Sequence, residues 1–183
     1  DSKAKNIPGL NAEDSCQEAI KYYTEKDSSG TFALVHLALE KKCIPRGQTK
    51  ERYLNSLLEK NKAIAASSRY PKRIQHYARI FSGKILVNLG RYKEAYSVFN
   101  LLHNSKQSKS FTQTYLVDIS ELILIYDFTP PGMERYGRMV AEDYAINILE
   151  KLPKSGRRSS TSTSGQQDIL GTLNLGSHTM RNK

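Results

Sequence analysis

Between His76 and Leu102 the chain reads HYARIFSGKILVNLGRYKEAYSVFNLL, two apolar stripes separated by Leu89-Gly90-Arg91. Ile74, Tyr77, Ala78, Phe81, Ile85 and Leu89 recur at three- and four-residue steps, and Ala95, Val98, Phe99 and Leu102 repeat the pattern after the turn. That spacing places apolar side chains on one face of an α-helix. Gly90 falls where a helix ends and the next residue takes positive φ at no steric cost. The stretch is predicted to be two helices folded back on each other. Inside a helix, however, glycine costs roughly 1 kcal/mol relative to alanine. Gly83 therefore needs a reason, and close approach of a second backbone is one.

Gly83, Ala95 twelve residues on, then Phe99, with the LGRY-EA turn between them, resemble a tetratricopeptide repeat over about His76 to Lys109. Arg79 stands where that family has a large aromatic, Gln107 where it has proline, and no second copy follows at the family's spacing. The resemblance implies stacked antiparallel hairpins, and helix periodicity along the chain makes this an all-α fold of about seven helices. Taken without it, the same corner suits a helix–turn–helix in an irregular bundle, also all-α.

Other helices follow from the same reasoning. Asn11 suits a cap, with Asp14 near the positive end of the helix and Cys16, Ala19, Ile20 and Tyr23 on one face. Asp27-Ser28-Ser29-Gly30 is read as the connection, and a second helix, apolar nearly all round, as Thr31 to about Cys43. Cys16 and Cys43 lie equidistant from that turn, which brings them to the open mouth of an antiparallel pair. A disulfide there would contribute roughly 3–4 kcal/mol on the loop-entropy account. The alternative is two unrelated buried thiols. A disulfide implies a periplasmic or secreted setting and free thiols a cytoplasmic one. Two cysteines without suitably spaced histidines fall short of a zinc site.

A third helix is predicted from Thr49 to Ala66, a sixth from Thr112 to Tyr126 and a seventh from Met133 to Leu152. The sixth carries Tyr115, Leu116, Ile119, Leu122, Ile123 and Tyr126 inward, with Asp118 and Glu121 off the stripe. The seventh turns Tyr136, Val140, Tyr144, Ile148 and Leu152 inward. One helical domain over 1–153 is expected, followed at 154–183 by a disordered Ser/Thr/Gly-rich tail whose GSHTM resembles a vector-derived scar. The opening Asp1 fits a processed or trimmed product.

Charge is unevenly laid out. The net charge is +10, yet residues 41–109 hold sixteen Lys/Arg against three Asp/Glu. Residues 1–40 are net −3 and 110–153 net −4. A band like this attracts anions, whether nucleic acid, acidic lipid, anionic glycan or an acidic protein surface. Lys50, Arg52, Lys72, Arg73, Arg79, Lys84, Arg91 and Lys93 are the candidate partner contacts, with Arg73, Lys84 and Arg91 expected to share a face. An acidic protein is the favoured partner and nucleic acid the alternative, since an oxidising compartment holds little of it. The five tyrosines of the basic third could stack on bases, but they suit the rim of a helical core better.

No catalytic constellation is legible. His36, His76, His103 and His178 form no H-E-x-x-H pair, and His36 is read as a core histidine. Ser82-Gly83-Lys84 echoes a phosphate-binding loop, but Ala78 replaces its first glycine inside a helix. The expectation is a non-enzymatic interaction module, an adaptor or a toxin-neutralising or assembly protein, without cofactor or metal and without a membrane span.

Overall fold

The computed structural model describes residues 12–105, 114–150 and 152. Among these the chain forms seven α-helices, one short 3-10 turn and no strand. The helices are α1 (Ala12–Thr24), α2 (Ser28–Glu40), α3 (Lys50–Ala66), α4 (Lys72–Asn88), α5 (Tyr92–Asn104), α6 (Thr114–Leu124) and α7 (Arg138–Glu150). The N-terminal arm and the tail from 154 lie outside the described residues.

Each helix packs on the next in sequence, and α2 also meets α4, as α4 meets α6. The even-numbered helices thus form a continuous row, each with an odd-numbered helix folded against it. This order explains the burial pattern. Helix α2 touches three neighbours, and Phe32, Ala33, Leu34, Val35 and Ala38 are all buried. Helix α4 touches four, and its core runs almost unbroken from Gln75 to Gly83. Phe32 and Phe81 stack across the α2–α4 contact with ring centroids 5.0 Å apart.

Local chemistry fixes the corners. Thr49 caps α3, its hydroxyl accepting from the Arg52 amide at 3.2 Å. The Gln75 side-chain amide donates to the Ser67 and Tyr70 carbonyls at 2.8 and 2.9 Å, closing the α3–α4 turn. After α4, Gly90 takes φ +72°. Its amide donates to the Val87 carbonyl at 3.0 Å and that of Arg91 to Leu86 at 2.9 Å, the paired bonds of a Schellman ending. Gly83 is required by an aromatic side chain of α5. The Phe99 ring lies on it, and a Cβ there would overlap Cε1 and Cζ of that ring.

The first hairpin is covalently closed. Cys16 and Cys43 form a disulfide with Cα atoms 5.7 Å apart. Beside it the Gln17 side chain donates to the Ile44 carbonyl at 2.9 Å and accepts from the Arg46 amide at 3.1 Å. These ties matter because α1 contributes no fully buried residue. The connection is shorter than expected. Helix α2 already begins at Ser28, and Gly30 belongs to its first turn, where a Cβ would overlap the Tyr23 carbonyl.

Two further expectations are corrected. The seventh helix is interrupted: Glu134–Tyr136 is a 3-10 turn, Gly137 takes φ +80°, and α7 starts at Arg138. That break leaves Tyr136 57% and Val140 42% exposed, and the inner face becomes Ala141, Ala145 and Ile148. In α6, Asp118 is buried, while Tyr126, placed inward by its spacing, is 40% exposed beyond the helix end. His36 is half-buried, its Nδ1 4.0 Å from Glu40.

Candidate partner-binding surface

The eight candidate cations do not form one patch. Lys50 and Arg52 open α3; Lys72 and Arg73 open α4. The two helices fold back through the short turn 67–71, so these pairs lie at opposite ends of a hairpin about 25 Å long at 1.5 Å per residue. Arg73 and Lys84 are eleven residues apart on α4, which returns them to nearly the same face. Arg91 lies past the α4–α5 turn.

Several of the eight already have partners inside the fold. Lys84 Nζ is 3.5 Å from Asp118 Oδ1, joining α4 to α6. The Arg91 guanidinium grips both oxygens of Glu94 at 2.6 Å, which holds that carboxyl below its ordinary range and raises the guanidinium further. Arg79 donates to the Ala65 carbonyl at 3.3 Å, and Arg73 lies 5.7 Å over the Tyr77 ring. Outside the candidate set, Arg46 pairs with Glu13 and Asp14, and Arg69 with Asp27 at 3.5 Å. Lys50, Arg52, Lys72 and Lys93 are exposed and make no ion pair among the described residues.

Those four cations occupy the first turns of α3, α4 and α5. A helix begins with the positive end of its dipole, so a cation there adds to the local potential instead of offsetting it. Glu51 and Glu94 temper this in α3 and α5, but the first turn of α4 has no acid.

Asp118 is the polar group that sequence spacing missed. Burial pushes its carboxyl from the usual 3.8 up to about 6; nearby Lys84 opposes that rise and Glu121 adds to it. Its Oδ2 is buried without a hydrogen-bond partner among the described residues. Between the two values the folded state holds a proton that the unfolded state has lost. Stability from this group is therefore present at low pH and lost as pH rises through about 6. Acidification to about pH 4 should stabilise the wild type relative to Asp118→Asn by on the order of 2–3 kcal/mol. Urea unfolding of both proteins across that range checks it; a constant difference would show that Asp118 titrates as an ordinary surface acid.

The cavity lined by His103, Leu116, Tyr144, Asn147 and Ile148 encloses about 90 Å³, against roughly 300 Å³ for the smaller metabolite sites. Among the described residues no cluster of three or more His, Cys, Asp or Glu is placed to hold a metal ion, and no helix is long and apolar enough to cross a membrane. Comparison with protein families, with curated proteins and with solved structures returns no match.

Proposed function

We propose that the chain is a non-enzymatic protein-interaction module whose basic central hairpins take an acidic protein partner. The observation that carries this reading is the placement of Lys50, Arg52, Lys72 and Lys93 in helix first turns. A chain selected only for stability would put acids there, because a cation costs about 0.3–1 kcal/mol in that position. Retaining four exposed cations against that gradient supports a use outside the fold. The row of even-numbered helices and the Phe99 ring over Gly83 support a tetratricopeptide-like stack, a scaffold suited to recognition. The Cys16–Cys43 bridge supports an oxidising compartment, periplasmic or extracellular.

The test compares a labelled polyglutamate peptide with single- and double-stranded oligonucleotides by fluorescence anisotropy across a salt series. The peptide is expected to bind, and K50E/R52E/K72E/K93E to weaken it by about tenfold or more, with an unchanged circular dichroism spectrum and a thermal midpoint no lower than that of the wild type. Oligonucleotide binding tighter than peptide binding, with a steep salt slope, would replace this reading by the nucleic-acid one. Equal binding by wild type and variant would remove both.

A further inference from the structure

The two ends of the helical row are finished differently. At one end α1 presents Glu13, Ser15, Glu18 and Lys21 to solvent around Tyr22, itself 57% exposed, a mainly polar outer face of the kind that seals a stack. At the other end α7 carries two apolar stripes. One, Ala141, Ala145 and Ile148, is buried. The second, Met139, Ile146 and Leu149, is 74%, 47% and 36% exposed.

Helical geometry fixes where the second stripe points. Ser120 of α6 donates to the Ala145 carbonyl at 3.1 Å, so that side of α7 faces α6. Tyr144, about 100° away at 3.6 residues per turn, meets Tyr96 of α5. Leu149, Ile146 and Met139 follow in the opposite rotational sense, on the side of the α6–α7 pair away from α5. On α6, Val117 and Leu124 are each 38% exposed and continue round from Ser120 over the solvent side, with Glu121 next and the Asp118 side that meets α4 beyond it. The two sets border one furrow between α6 and α7. It is the position a next helix would occupy, as α6 occupies the place beside α4 and α5.

We propose that this furrow is a docking site for an amphipathic helix with basic flanks, supplied by a partner protein. The stacking order asks for a helix, and the rim sets its charge. Glu121, Asp143 and Glu150 are exposed around the furrow, and Glu142 is already engaged by Arg138 at 2.6 Å. Two copies meeting through this face would set those acids against each other, and like charges so juxtaposed are disfavoured. Leucine- or isoleucine-type anchors at i, i+3, i+4 and i+7 would fill the furrow, with Lys or Arg reaching the rim. This surface differs in chemistry from the basic hairpins and does not depend on them.

The probe is a synthetic helix-forming peptide of Leu and Lys in that amphipathic order, titrated calorimetrically into the full chain. Controls are a scrambled peptide of the same composition and a Leu/Glu peptide of the same order. The ordered Leu/Lys peptide should bind about tenfold or more tightly than either control, and M139E/I146E should lose that advantage. Both substituted side chains are exposed, so circular dichroism should be unchanged. K50E/R52E/K72E/K93E should bind the peptide like the wild type, which separates this furrow from the proposed acidic-partner surface. Equal binding of ordered and scrambled peptides, or binding that survives M139E/I146E, overturns the proposal. So does a wild-type dimer in sedimentation that M139E/I146E turns to monomer, since the face would then pair with itself.

Discussion

Phe99→Ala should lower the stability of the folded chain by about 3–5 kcal/mol, the range for removing a buried aromatic side chain. Phe99 is fully buried, and its ring lies on the backbone of α4 at Gly83. The same contact makes Gly83→Ala unfavourable, although alanine is the better helix former by roughly 1 kcal/mol. In the Phe99→Ala background the ring is gone, and Gly83→Ala should become neutral or stabilising. The double-mutant cycle, measured by urea unfolding, isolates this coupling. Additive effects would mean that Gly83 is kept for some reason other than the ring.

The second large effect concerns the first hairpin. Reducing the Cys16–Cys43 bridge releases a crosslink across a sequence separation of 27, worth about 3.5 kcal/mol on the chain-entropy account. For a unit of this size the thermal midpoint should fall by roughly 7–14 °C. Because α1 buries no residue completely, loss should begin there. Amide exchange in α1 is expected to accelerate on reduction before that of α4 does. Cys16→Ser/Cys43→Ser should reproduce both results without reductant. Identical midpoints for the oxidised and reduced protein would show that hydrogen bonding of Gln17 with Ile44 and Arg46 is enough to hold α1.

Much of the fold could be read from the amino-acid sequence because it is written in short-range periodicity. The stripes of α4 and α5, the ending at Gly90 and the pairing of Cys16 with Cys43 each depend on spacing within one helix or hairpin. What failed depends on contacts between elements. Gly30 looked like a connection because glycine breaks helices more often than it enters their first turns. Tyr136 and Val140 continued an apolar pattern that Gly137 interrupts. Asp118 fell off the apolar stripe of α6, yet a neighbouring helix covers it and brings Lys84 within 3.5 Å. The candidate surface was legible in the same partial way. Spacing identified the cations, but not that Lys84 and Arg91 are held by Asp118 and Glu94 or that Lys50 and Lys72 lie a hairpin apart.

Closing the first hairpin with sulfur also changes how the molecule answers a protease. Glu25, Lys26 and Asp27 are exposed between α1 and α2, and trypsin can cut after Lys26. A chain nicked there keeps both pieces on one scaffold, migrates as a single species without thiol, and parts into two only when the bridge is opened.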